Sequence, residues 1–199
     1  MDKPAKKIGA VVVVGGGVGG MQAALDLAES GLKVYLVEKQ SAIGGTMAAL
    51  DKTFPTNDCA MCTISPRLVG VGRHLNIEVI PGAEVVKLDG EAGNFSVTIR
   101  RAARYVDPAK CTGCGLCAEK CPISVPDPFN VGASDRKVIH KLYPQAVPGS
   151  YLISKRGRSP CKSACPAGVS AHGYVALMSQ GRFAEALEVE KRSNPFPGI

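Results

Sequence analysis

An α/β fold is predicted by a valine-rich run that ends in glycines, then a helical pattern, then a second apolar run. A compact four-cysteine run further on predicts a small α+β module, and two short amphipathic patterns near the C-terminus predict the start of an α-helical domain. The expected order is a Rossmann-type portion over residues 1–103, a cysteine module with its connector over 104–150, and a partial helical domain over 151–199.

Ile8–Val14 is apolar throughout, as expected of a strand buried on both faces. It runs into Gly15-Gly16-Gly17-Val18-Gly19-Gly20, which fits G-x-G-x-x-G at Gly15, Gly17 and Gly20. In that motif Gly15 permits the tight turn, Gly17 lets the backbone approach a pyrophosphate, and Gly20 permits close helix–strand packing. Met21, Ala24, Leu25, Leu27 and Ala28 then repeat at helical spacing up to Gly31, a good helix stop. Lys33–Val37 is a second apolar strand, and Glu38 at its end stands where an acid accepts hydrogen bonds from ribose hydroxyls. A glycine motif alone is weak. Strand, glycines, helix, strand and acid in register specify a dinucleotide site.

Glu38-Lys39 followed by Ile43-Gly44-Gly45-Thr46-Met47 resembles flavoproteins of the glutathione-reductase and amine-oxidase type. That resemblance implies FAD rather than NAD(P), with Gly44 and Gly45 lying along it and Lys39 beside it. Asn76–Ile80 and Ala83–Leu88 read as further strands, and the same resemblance implies that the Val85 backbone meets the adenine edge. Asn94–Arg100 alternates through Phe95, Val97 and Ile99, as a half-exposed strand does.

Cys111, Cys114, Cys117 and Cys121-Pro122 form a C-x2-C-x2-C-x3-C-P run, the spacing that holds a [4Fe-4S] cluster. Three thiolates on one loop cap three corners of a cubane, and the fourth cysteine of such a run ligates the other cluster in two-cluster ferredoxins. Gly113 and Gly115 leave the loop free to take positive φ and aim N–H groups at sulfur. A zinc site or a disulfide scaffold would have no use for the x3 spacing and the proline.

Cys59 and Cys62 form a second C-x-x-C pair with three readings: a redox dithiol beside the flavin, two ligands of another cluster, or structural cysteines in a helix. His74, His140 and His172 are expected as ordinary surface or core histidines, Lys155–Arg158 as a solvated linker, and the proline-rich stretch 122–148 as an irregular connector.

Composition narrows the function. Apolar residues make up 45% of 199, enough for a core, yet no apolar run approaches the roughly 18 residues of a membrane span. The formal charge of +7 counts all eight cysteines as neutral, and cluster thiolates and dinucleotide phosphates would offset it. With no Trp and no basic run interleaved with aromatics, nucleic-acid binding has no support. No Ser-His-Asp set or carboxylate pair stands out for hydrolysis. Residues 1–7 lack the apolar stretch of a signal peptide, and cluster-type cysteines suit a reducing cytoplasm.

Gly15–Gly20, Val34–Met47, Leu50–Cys62, Gly72-Arg73-His74, the Cys111–Cys121 run, Arg136-Lys137 and Pro144–Pro148 occur in an order that resembles the A subunit of heterodisulfide reductase. Its bacterial relatives include the quinone-interacting oxidoreductases of sulfate reducers. The resemblance covers about residues 8–150. It implies a ferredoxin module inserted into a thioredoxin-reductase-like FAD domain. The implied partners are other redox subunits (the B and C type, hydrogenase or dehydrogenase subunits), with ferredoxin or NAD(P)H as further electron carriers.

Beyond residue 150, Cys161-Lys-Ser-Ala-Cys165-Pro166, Tyr174–Met178, Gly181-Arg182-Phe183 and Asn194–Pro197 look like the helical Fe–S domain of dihydropyrimidine dehydrogenase and of the glutamate synthase small subunit. Ala176, Leu177, Phe183, Ala186, Leu187 and Val189 suit two helices joined at Gly181. Cys161 and Cys165 then read as ligands of a helical-domain cluster, or as a remnant of a second ferredoxin run in which Cys165 caps the Cys111/Cys114/Cys117 cluster. On this resemblance the chain is expected to be a piece of a longer protein. The expected function is an FAD and [4Fe-4S] oxidoreductase subunit. The alternatives are an electron-transfer module without a substrate site and a C-x-x-C dithiol oxidoreductase.

Overall fold

A computed structural model describes residues 9–155 and 158–198. The chain divides into two compact units, Met1–Ser154 and Lys155–Ile199. Arg156 and Gly157 of the basic run, like Ile8 and the segment before it, lie outside the described residues.

The first unit begins with β1 (Ala10–Val14), α1 (Val18–Glu29) and β2 (Lys33–Glu38). After a 3-10 turn at Gly45–Ala49 come the two-residue strands β3 (Lys52–Thr53) and β4 (Asp58–Cys59), then α2 (Ala60–Arg73) and β5 (Ile77–Pro81). β1, β2 and β5 form a parallel sheet in that order, with Val12 opposite Tyr35 and Leu36 opposite Val79. Parallel neighbours need crossovers, which α1 and α2 supply. Met21, Ala24 and Ala28 of α1 pack with Ile64, Leu68 and Val71 of α2 over Val34 and Leu36 of β2.

One expectation about this sheet fails. β1 is not buried on both faces: it is half-buried at best and Val14 is 68% exposed. Among the described residues β1 is a sheet edge, paired only with β2.

β6 (Ala83–Glu91) and β7 (Asn94–Arg101) form an antiparallel hairpin with an irregularity between Val85 and Lys87. The cysteine run leads into α3 (Leu116–Lys120). The connector is more regular than its prolines imply. It holds β8 (Ser124–Pro126) paired with β9 (Asp135–Lys137), and β10 (Ile139–His140) paired with β11 (Leu152–Ile153). His140 is a core histidine, and burial pushes its pKa down.

The second unit contains α4 (Pro160–Ala164), α5 (Ala171–Met178) and α6 (Phe183–Lys191), the last two joined through Gly181 at φ 72°. The expected core of this unit is only partly formed. Ala186 is buried, whereas Phe183 and Leu187 are 65% and 44% exposed. Two short helices have too little surface to enclose side chains on more than one line of contact.

Candidate functional site

The glycine loop is built by the sheet. Gly15 N–H donates to Val37 O at 2.8 Å, which carries the chain across the end of β2, and Met21 N–H donates to Gly17 O to start α1. A Cβ on Gly20 would stand 1.8 Å from Gly15 O, so no other residue fits there without moving the loop. Gly17 faces open space and no side chain caps α1, which leaves the first-turn N–H groups free for an anion. Gly44 N–H donates to Gly16 O at 2.7 Å, and a Cβ on Gly45 would meet Gly17 Cα at 3.0 Å. The two glycine clusters, 28 residues apart in sequence between Gly16 and Gly44, are therefore in backbone contact, and together they are read as the wall of a dinucleotide groove.

Glu38 closes the end of that groove. Its Oε2 accepts from Gly16 N–H and its Oε1 from Gln40 N–H, each at 2.6 Å, and the residue is 8% exposed. Each oxygen keeps a lone pair for a hydroxyl donor. Lys39 follows Glu38 in the chain. Its ammonium lies 3.0 Å from Glu84 Oε1, next to the half-buried Val85, and Arg100 pairs with the same carboxylate. The Lys39 and Arg100 partners hold Glu84 below the usual carboxylate range, the Arg100 bond having the larger effect.

The cysteine run forms a second hollow. A cavity of about 240 Å³ is lined by Cys111, Cys114 and Cys117, together with Asp107, Lys110 and Tyr151. Cys121 does not line it, and its Sγ lies 3.7 Å from Ile123 O. Gly113 and Gly115 take φ of 74° and 89°, as the cluster reading requires. The Leu116 N–H holds the Cys114 thiol below its ordinary pKa. Among the described residues no group of three or more His, Cys, Asp or Glu converges on a point where one metal ion would sit. Cys111, Cys114 and Cys117 line one hollow, and a cubane is a group that spreads its ligands over different irons.

Residues missed by sequence reasoning join the two hollows. Tyr143 Oη donates to Ile43 O, and burial pushes this phenol up to about 12, so it stays a donor. Ile43 N–H donates to Val147 O at 2.9 Å. Arg104 donates to Ser41 O at 3.0 Å and to Ser150 O at 2.8 Å, and Tyr151 N–H donates to Cys111 Sγ at 3.3 Å. The stretch 143–151 thus straps the flavin-type groove to the cysteine loop. Its only sequence signal is a pair of tyrosines flanking Pro144–Pro148.

Cys59 and Cys62 do not line the thiol cavity. Cys59 is the N-cap of α2, and Cys62 N–H donates to its Sγ at 3.2 Å. The Cys62 thiol bonded to it lowers the Cys59 pKa, and the same bond raises that of Cys62. In the second unit Cys161 Sγ lies 3.4 Å from Ser159 Oγ and 3.7 Å from His172 Nδ1, contacts that hold it down to about 7. His172 is a surface histidine, as expected, and its Nδ1 also lies 2.9 Å from Ser159 Oγ. Cys165 is half-buried, and all eight cysteines are free.

Comparison with known proteins fits this geometry. A family described as FAD dependent oxidoreductase matches residues 10–61, and a 4Fe-4S binding domain matches residues 104–127. The chain is 56% identical over 155 residues to the first iron-sulfur A subunit of CoB–CoM heterodisulfide reductase from Methanopyrus kandleri, which is 76% of this chain and 23% of that protein. It is 53% identical over 142 residues to the A subunit of the H(2)/formate:CoB-CoM heterodisulfide,ferredoxin reductase of Methanococcus maripaludis, 71% of this chain and 22% of that one. This chain is a relative of the A subunit of heterodisulfide reductase.

It spans about a quarter of the length of those relatives. Among solved structures, L-proline dehydrogenase from P. horikoshii aligns with a TM-score of 0.40 at 25% identity, over 50% of this chain and 21% of that one. FAD and a [4Fe-4S] cluster are the cofactors of this heterodisulfide reductase relative, and the groove and the thiol-lined cavity fit them. No helix among the described residues is long and apolar enough to cross a membrane.

Proposed function

We propose that the chain is part of an FAD- and [4Fe-4S]-dependent oxidoreductase subunit that relays electrons between a two-electron carrier and one-electron carriers. The observation that carries this reading is the strap: one short stretch bonds to the glycine groove through Ile43 and to the cysteine loop through Cys111. When bound, FAD exchanges electron pairs and the cluster passes single electrons.

In this reading Gly15, Gly17 and Gly20 shape the loop around the pyrophosphate, Gly44 and Gly45 line its second side, and Glu38 receives the ribose hydroxyls. Val85 offers its backbone to the adenine. Lys39 acts at a distance, by ordering Glu84 beside it. Cys111, Cys114 and Cys117 hold the cluster, with Cys121 directed to it or to a neighbouring one. The names of the relatives support partners that are other subunits of a redox complex, and ferredoxin as a carrier. The cysteine spacing supports a reducing cytoplasm.

Cys59 and Cys62 support a second role. Their mutual bond and opposite pKa shifts are those of a dithiol with one activated sulfur, yet the same spacing serves two ligands of another cluster. In the Cys59→Ser variant, loss of disulfide reduction with iron content intact assigns the dithiol role, and loss of iron assigns the ligand role. Cys161 and Cys165 are assigned to a further cluster in the helical unit.

The whole reading is tested by anaerobic purification followed by flavin, iron and sulfide analysis. Flavin and iron together support it, and a chain that fails to bind either one when both are supplied overturns it.

A further inference from the structure

We propose that Tyr151 and Lys141 are positioning residues for the cluster held by Cys111, Cys114 and Cys117: Tyr151 walls one side of its cavity, and Lys141 raises its reduction potential by charge. This rests on the cluster assignment above.

Tyr151 reaches the cavity from 40 residues beyond Cys111. Its N–H donates to Cys111 Sγ at 3.3 Å, and its ring is part of the cavity wall. Its hydroxyl lies where any Cβ on Gly115 would meet it at 3.1 Å, and a Cβ on Gly113 would meet Gly149 O at the same distance. The cysteine loop thus lies close against Gly149–Tyr151, with little room for side chains at Gly113 and Gly115.

Lys141 is stationed by that ring. Its Nζ stands 5.5 Å from the Tyr151 ring centroid and 3.3 Å from Pro144 O. It does not line the cavity, so it reaches the cluster only through its field. Of the charged groups that do line the cavity, Asp107 and Lys110 oppose each other. Arg104 donates to the Ser41 and Ser150 carbonyls and keeps its charge close to Cys111, so its field adds to that of Lys141.

Reduction adds an electron to a centre surrounded by thiolates. A nearby ammonium and an N–H dipole stabilise that added charge and raise the potential, and hydrogen bonds to sulfur and solvent exposure are known determinants of it. The aromatic wall has a separate effect, since it covers one side of a cavity that is open beside the exposed Cys114 and Cys117. Ring and ammonium can therefore be tested apart.

The test is an EPR-monitored redox titration of the anaerobically purified full chain, with iron and sulfide measured on each sample. Lys141→Gln is expected to lower the midpoint, and Lys141→Glu to lower it by about twice as much, because the change in charge doubles. Both shifts should shrink as salt is added. Tyr151→Ala is expected to lose iron faster in air, and Tyr151→Phe to restore wild-type retention. If both lysine variants titrate with the wild-type midpoint while carrying the cluster, the role of Lys141 is overturned. If Tyr151→Ala holds iron as long as wild type, the walling role of Tyr151 is overturned. A wild-type chain with no reduced-cluster signal would instead overturn the cluster assignment on which both depend.

Discussion

Glu38 Oε2 lies 2.6 Å from the amide nitrogen of Gly16, a residue 22 positions earlier in the chain. The acid at the end of β2 thereby holds the glycine loop in shape before any ligand arrives, and keeps lone pairs for one.

Glu38→Gln should separate these two tasks. The amide presents one oxygen to the two N–H donors at Gly16 and Gln40, so one donor faces an NH2 group. Loss of a hydrogen bond to a charged acceptor costs about 1.5–3 kcal/mol. Titration of apoprotein with FAD, followed by flavin fluorescence, should show affinity weakened by about tenfold or more. Unchanged affinity would remove Glu38 from the flavin site.

Gly20→Ala and Gly19→Ala form a contrasting pair. The first places a methyl 1.8 Å from Gly15 O, while the second meets nothing within 4 Å. Overpacking of this kind costs about 1–3 kcal/mol, whereas Gly→Ala in a helix gains about 0.5–1 kcal/mol. Thermal melts of the FAD-free chain should therefore move in opposite directions.

The part of the site made of local pattern was legible in the sequence. Val11–Val14, the glycines, the apolar positions of α1 and Glu38 follow from strand and helix periodicity and from the steric needs of a turn. The cysteine hollow was legible for the same reason, as a spacing on one loop. Arg104, Tyr143 and Tyr151 were not legible, because their partners Ser41, Ile43 and Cys111 lie 63, 100 and 40 residues away and no periodicity links them. The exposure of β1 was missed because an apolar run predicts a buried strand but not how many neighbours the sheet provides.

Arg104→Met should loosen the strap. It leaves the carbonyl of buried Ser150 without its donor, at a cost of about 1–3 kcal/mol. For a unit of this size each kcal/mol lowers the melting midpoint by about 2–4 °C. Differential scanning calorimetry checks the shift. A parallel fall in iron retention is expected, because Ser150 adjoins Tyr151. A melt and an iron content equal to wild type would show that the strap does not depend on Arg104.

Cys59 and Cys62 should differ in reactivity with pH. The bond from Cys62 lowers the Cys59 pKa and raises that of Cys62, so on raising the pH the Cys59 thiolate forms first. Timed iodoacetamide labelling near pH 7, read by peptide mass spectrometry, should mark Cys59 ahead of Cys62. Equal rates would contradict the asymmetry, and protection of both until iron is removed would assign them to a cluster.

One chain is proposed to carry a flavin groove strapped to a cluster loop. Flavin, iron and sulfide per chain, measured after anaerobic purification and supply of FAD, with EPR after dithionite reduction, test it most directly. About one FAD and about four or more irons per chain are expected, with a reduced [4Fe-4S] signal. Iron without flavin, or flavin without iron, would contradict it.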